Sequence, residues 1–179
     1  FGQRISVDAA FRIEHDDVDN FSTADLYGYG HSEALIGMTL NDVREKIIIA
    51  SKVGFTSFDG LQDFSSKHIR NSIENSLRRL QSDYIDLYQL HSPPVKSLEK
   101  DDTLLTLQSL VTEGKVLAIG VSVRSPEEAQ FFISKFDFQV VQVNFNFVDQ
   151  RALDCGLFEL CISKGIGLII RTPLCYGFL

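Results

Sequence analysis

The sequence predicts an α/β fold of parallel strands, a (β/α)8 TIM barrel of which this chain supplies about six of eight units. Three observations predict it. Short apolar runs alternate with helix-periodic segments from residue 40 onward, polar side chains close successive runs, and no GxGxxG turn follows an early strand. The runs are continuous rather than alternating in polarity, as in strands covered on both faces. Strand–helix repetition of this kind builds a parallel sheet with right-handed crossovers. An open doubly wound sheet and a closed barrel both fit the alternation. The missing glycine turn removes the usual nucleotide-binding feature of the open fold. Lys52, His91, Ser122, Asn144 and Thr172 end or follow successive runs, and a barrel gathers such residues at its C-terminal mouth.

In chain order, a weak strand is expected near Val18–Phe21, followed by strands at Ile47–Ser51, Ile85–Leu90, Val116–Val121, Gln139–Asn144 and Gly167–Arg171. Between them, Ser66–Leu80 places Ile69, Ile73, Leu77 and Leu80 on one helical face. Asp102–Glu113 carries Leu104, Leu107, Leu110 and Val111, and Gly114 ends it. Ser125-Pro126-Glu127-Glu128 combines an N-cap serine, a proline at the first helical position and a capping-box glutamate. Leu153, Leu157, Leu160 and Cys161 mark a further helix that stops at Gly165. Glu33 reads as a helix start, its charge near the positive end of the dipole. Gly28 and Gly30 read as a tight turn with no phosphate role.

A full barrel needs about 250 residues, and the chain has 179. It is expected to be a single barrel domain over residues 1–179 that lacks the first and last strands, or a departure from the standard fold. Net charge is -7 with a pI near 5.0. That composition offers no general attraction to nucleic acid or anionic lipid. No apolar run reaches the roughly 18 residues of a membrane span, and FGQRISVDAA lacks the regions of a secretory signal. Cys155, Cys161 and Cys175 are an odd number without CxxC spacing, expected to be reduced, mostly buried thiols of a cytoplasmic protein, with no metal bound. His15, His31 and His68 have no ligand-like spacing.

Tyr27, Lys52 and His91 each close or follow a strand-like stretch: VDNFSTADLY, IIIASK and IDLYQLH. Side-by-side parallel strands would bring the three together as a proton-donor site. A phenol gives the proton, an ammonium lowers its pKa, and an imidazole orients the acceptor. Each taken alone has an ordinary reading as a packing tyrosine, a surface lysine or a turn histidine. A lysine at a barrel mouth also suits Schiff-base chemistry, a competing reading that the tyrosine and histidine disfavour.

The same residues lie in longer motifs. STADLYGYGHSE (22–33), the IIIASK strand, SLRRLQSDYIDLYQLHSP (76–93), GKVLAIGVS (114–122), VVQVNFN (140–146) and RTPLCYGFL (171–179) follow one another in an order that resembles the aldo-keto reductases, closest to the bacterial type. The resemblance implies a (β/α)8 barrel, a nicotinamide cofactor, usually NADPH with NADH possible, and reduction of an aldehyde or ketone, including a keto-sugar, to an alcohol. It assigns Tyr27, Lys52 and His91 to catalysis, Ser122 and Gln142 to the cofactor carboxamide, Arg171 to the nicotinamide ring, and Pro173 and Leu174 to the same cofactor site.

Two positions depart from the family pattern. Ser22 stands where the family's fourth catalytic residue is an aspartate that pairs with the lysine, and Val123 stands where an asparagine contacts the carboxamide. Ser22 is expected to keep the architecture while weakening the proton relay, and Asp25 could compensate only if its side chain turned inward. The competing reading is a catalytically impaired relative that serves as a cofactor-binding or regulatory protein. Gln142 and Asn144 have a second reading as groups satisfying mouth backbone, and Arg171 as a structural ion-pair partner. FTSFDGLQDFSS (55–66) either lines the pocket through Phe55 and Phe58 or serves only as a helix-entry loop. Cys175 is either near substrate or inert. The small-molecule substrate and the oligomeric state have no signature in the sequence.

Overall fold

A computed structural model describes residues 11–12, 19–98 and 102–178. Among them one sheet runs in chain order through β1 (Phe11–Arg12), β2 (Asp19–Ser22), β3 (Ile47–Val53), β4 (Ile85–His91), β5 (Val116–Ser122), β6 (Val140–Asn144) and β7 (Gly167–Arg171). β2 to β7 pair in parallel and curl into a half-barrel. The two-residue β1 pairs antiparallel with β2, a partner that the sequence pattern did not predict. The weak early strand is real and runs one residue past its expected end, to Ser22.

Helices follow the strands. α1 (His31–Leu40) and a 3-10 turn (Asn41–Lys46) lead into β3, and α2 (Ser66–Leu80) leads into β4. α3 (Val95–Leu98) and α4 (Thr103–Thr112) precede β5, and α5 (Pro126–Lys135) precedes β6. α6 (Arg151–Asp154) and α7 (Leu157–Lys164) precede β7. The core lies between the outer face of the sheet and these helices. Ile49, Tyr88, Leu90, Val121, Val141 and Val143 meet Ile69, Ile73, Leu107, Leu110 and Phe132 there, all buried.

Local chemistry sets the helix ends. The Ser65 hydroxyl accepts from His68 N at 3.3 Å and starts α2. At α5, Ser125 Oγ accepts from Glu128 N at 3.3 Å while Glu128 Oε2 accepts from Arg124 N at 2.9 Å. This is close to the reciprocal cap expected there, with the return bond made one residue earlier, at Arg124 N rather than Ser125 N. The single helix expected through Leu153 and Leu160 is instead two. Gly156, at φ 74°, takes a left-handed conformation that stops α6 and opens α7. Among the described residues, no helix is long and apolar enough to cross a membrane.

Register decides which side chains share the inner, concave face. Ser22 lies beside Ala50. Lys52 lies beside Gln89, and His91 beside Ser122. Ser122 in turn lies beside Gln142, and Asn144 beside Arg171. Neighbours in a parallel ladder point the same way, so these polar groups converge at the C-terminal ends of the strands. Below them the concave face is apolar, with Ala50, Leu87, Ala118, Val140 and Ile169 lining a cleft.

Candidate active site

The backbone after β2 continues the parallel pairing before it turns. Thr23 N donates to Ala50 O at 2.8 Å, and Asp25 N donates to Lys52 O at 3.1 Å. Tyr27 N then bonds Ala24 O at 3.1 Å. Gly28 and Gly30 follow at positive φ and complete the tight turn that the sequence implied. Tyr27 is thereby held half-buried over the end of β3.

Lys52 is 2% exposed. An ammonium this deep must have its hydration replaced. Its Nζ donates to Ser22 Oγ at 3.0 Å and to Thr23 O at 2.8 Å. The same nitrogen lies 5.4 Å from the centroid of the Tyr27 ring. Tyr27 meets His91 edge-on, with ring centroids 6.0 Å apart and planes at 82°. The phenol, ammonium and imidazole therefore cluster at the C-terminal ends of β3 and β4. Thr23, whose carbonyl helps to seat the ammonium, was not singled out by the sequence reading, because a backbone acceptor leaves no trace in residue type.

Burial, and then the positive charges of Lys52, Arg171 and Arg124, push the His91 imidazole down to about 3. The ring is neutral at physiological pH. Its Nδ1 is buried without a hydrogen-bond partner among the described residues. A neutral imidazole in this position can orient a substrate oxygen by hydrogen bonding without carrying charge.

Asp25 does not turn toward Lys52. Burial, and then the neighbouring Glu33, raise its carboxyl to about 7, with Arg79 and the Ser72 hydroxyl opposing. It belongs to a polar cluster between the sheet and the helices. Glu33, read from sequence as a helix-start charge, is fully buried there. It accepts from Ser51 Oγ at 2.5 Å and from Arg79 Nε at 2.8 Å.

The residues assigned to the cofactor fall into two groups. Ser122 and Gln142 are adjacent, each 2% exposed, and Gln142 Oε1 is buried with no partner among the described residues. An unfilled acceptor beside a hydroxyl fits the amide of a nicotinamide carboxamide. Arg171 Nη2 donates to Val123 O at 3.1 Å, and its Nε is buried without a partner among the described residues. Among those residues the guanidinium bonds a carbonyl rather than an acid. Asn144 is used by the mouth itself, with its Oδ1 accepting from Thr172 Oγ1 at 2.7 Å. Pro173 and Leu174 are exposed in the turn after β7.

Of the cysteines, Cys161 is buried, whereas Cys155 and Cys175 are part-exposed. The expectation of mostly buried thiols holds for Cys161 alone, because α6 and the turn after β7 lie at the edge of the packing. His31 and His68 sit outside the cluster of Tyr27, Lys52 and His91, with His68 Nε2 3.3 Å from Ser72 Oγ. His15 lies outside the described residues. No group of three or more His, Cys, Asp or Glu suited to a metal ion occurs among the described residues.

Phe55 and Gln62, absent from the assigned set, also reach that cluster. Phe55 packs edge-on against His91 at 4.7 Å. Gln62 Nε2 donates to His91 O at 2.9 Å. Residues 55–66 are thus part of the site as well as a helix entry. Gln62 carried no sequence signal, since one amide in a polar loop resembles any other.

Comparison with known proteins identifies the family. The model of the Aldo/keto reductase family matches residues 7–179. The probable aldo-keto reductase 1 of Glycine max is 36% identical over 163 residues, covering 88% of this chain and 46% of the relative. The holo form of aldo-keto reductase AKR11C1 from Bacillus halodurans superposes with a TM-score of 0.80 at 31% identity, covering 88% of this chain and 53% of that one. An aldo/keto reductase from Klebsiella pneumoniae, solved with NADP and acetate, gives a TM-score of 0.70 at 26% identity, covering 88% and 54%. The chain spans about half the length of these proteins. Motif order, a half-barrel of parallel strands and the family match over nearly the whole sequence lead to one conclusion: this chain belongs to the aldo/keto reductase family.

Proposed function

We propose that the protein is an oxidoreductase that reduces an aldehyde or ketone to an alcohol with a nicotinamide cofactor, NADPH or NADH. The observation that carries this reading is the clustering of Tyr27, Lys52 and His91, with the buried ammonium 5.4 Å from the centroid of the phenol ring and that centroid 6.0 Å from the imidazole's. When bound, the cofactor supplies the hydride. Negative charge then builds on the carbonyl oxygen and needs a donor already in place. Tyr27 gives that oxygen its proton. An ordinary tyrosine, with a pKa near 10, is a weak acid at neutral pH, and a nearby ammonium favours the phenolate left behind. His91, neutral, fixes the approach of the oxygen. Ser122 and Gln142 would hold the carboxamide, Arg171 would pack on the nicotinamide ring, and Pro173 and Leu174 would contribute to the same cofactor site. The neighbour solved with NADP supports a nicotinamide cofactor by analogy. We read residues 1–179 as one barrel domain acting on a small molecule in the cytoplasm.

A second reading is kept by one observation. Ser22, which accepts from Lys52, is a hydroxyl and brings no charge itself where the family pattern has an aspartate. A barrel that binds cofactor but turns over slowly, or serves regulation, is consistent with it. Fluorescence titration with NADPH and NADH, paired with cofactor absorbance loss across aldehydes, ketones and keto-sugars, separates the two. Turnover supports the enzyme. Tight binding without turnover supports the impaired relative. Neither binding nor turnover removes both.

A further inference from the structure

The segment between β3 and α2 is built as a hairpin. Phe55 and Gln62 pair across it as an antiparallel bridge. Thr56 N donates to Leu61 O at 2.8 Å, and Asp63 N to Gly54 O at 2.8 Å. Both residues of the bridge grip the turn after β4. The Phe55 ring lies edge-on to the His91 imidazole at 4.7 Å, with planes at 89°. Gln62 Nε2 donates to His91 O at 2.9 Å and to Ser92 O at 3.1 Å. That turn needs a grip, because Ser92 sits at φ 53°, a left-handed conformation that a residue with a Cβ adopts at a cost. The other end of the hairpin leans the opposite way. Phe58 packs edge-on against Tyr29 at 4.8 Å, although both residues are largely exposed. Tyr29 is two residues from Tyr27 in the same tight turn.

We propose that the hairpin is a strap that sets the position of His91 against Tyr27, with Gln62 a positioning residue that anchors the imidazole's backbone and Phe55 the packing that covers its ring. Gln62 acts through His91 and touches no reacting atom. The arrangement gives a polar amide of the hairpin two acceptors at the end of β4: the carbonyl of His91, its last ladder residue, and that of Ser92 just beyond. Its catalytic consequence rests on the function proposed above, whereas its structural content does not.

The test therefore reads His91 directly. The groups facing its ring are Phe55, Tyr27, Lys52, Arg171 and Arg124. In the whole protein, histidine side-chain nitrogen NMR is followed from pH 5 to 8, with the His91 signals assigned by loss in a His91→Asn variant. The wild-type ring is expected to stay neutral throughout. Gln62→Met keeps length and shape but removes the donor, together with the Oε1 that accepts from Arg124 Nη2 at 3.5 Å, so an Arg124→Gln variant serves as the control for lost charge; beyond that control, the ring should loosen toward solvent and titrate closer to the ordinary 6.5. Phe55→Leu should act in the same direction and carries the same test if Gln62→Met does not fold. Phe58→Ser, at the far end, should leave the His91 titration in place. Where turnover is measurable, Gln62→Met should lower kcat about tenfold to a hundredfold with cofactor affinity unchanged. An unaltered His91 titration in folded Gln62→Met overturns the strap whatever the activity. A shifted titration in a protein that reduces no carbonyl leaves the strap standing and removes the enzymatic reading instead.

Discussion

At the scale of single residues, the chemistry turns on how one buried ammonium is satisfied. Among the acceptors of Lys52 are a serine hydroxyl and a backbone carbonyl, both neutral. Replacing Ser22 with aspartate places a charge where it strengthens the ammonium. Turnover should rise several-fold, as a nearby opposite charge favours the charged form. If carbonyl reduction stays flat in Ser22→Asp, the missing carboxylate is not what limits the reaction. Tyr27→Phe keeps the ring that packs against His91 and removes the proton. Turnover should fall by about a hundredfold or more, with cofactor affinity unchanged. Activity within tenfold of wild type would assign the proton to another group.

At the scale of elements, the sheet positions the site only because α1 and α2 close tightly over β2 and β3. Gly37 of α1 lies against the end of α2. A Cβ there would come 2.3 Å from Arg79 O and 2.7 Å from Leu80 C, both backbone atoms that cannot swing aside. Alanine favours an exposed helix interior over glycine by about 1 kcal/mol. Overpacking against rigid backbone costs about 1–3 kcal/mol, so the clash should win. Gly37→Ala is expected to lower the urea midpoint, and a higher midpoint would show that the helices have room to part. The same packing buries Glu33 with Arg79, which ties α1 to α2 by charge as well as by shape.

At the scale of the whole molecule, two buried groups oppose each other in the pH dependence of stability. The His91 imidazole is pushed down to about 3, so the unfolded chain binds its proton first, and stability falls as pH drops below the ordinary 6.5. The Asp25 carboxyl is raised from 3.8 to about 7, so the folded chain binds its proton first, and stability falls as pH rises through that window. Between about pH 4.5 and 6.5 the two slopes cancel, and denaturation midpoints should be nearly flat with pH. Each neutral variant unmasks the other group. Asp25→Asn should become more stable as pH rises across this window, and His91→Asn less stable. Parallel slopes in the two variants would contradict the buried state of one of them.

The alternation of apolar runs and helix patterns was enough to determine a parallel α/β sheet, because continuous hydrophobicity and amphipathic periodicity are local properties of the chain, and the polar strand ends with the missing glycine turn pointed to the barrel. The motif order carried the family, and the residue types at strand ends carried the candidate chemistry. Tertiary structure decided the rest. α1 was legible only as a helix start at Glu33, since its glycine and small residues mark a close approach rather than an apolar stripe. Glu33 read only as a charge at a helix start, and its burial against Arg79, 46 residues away, is a tertiary fact. Asp25 could have faced Lys52 or turned from it, and only packing chose. Gln62 reaches His91 across 29 residues of sequence. Contacts made across loops depend on where the backbone returns, and neither composition nor period encodes that place.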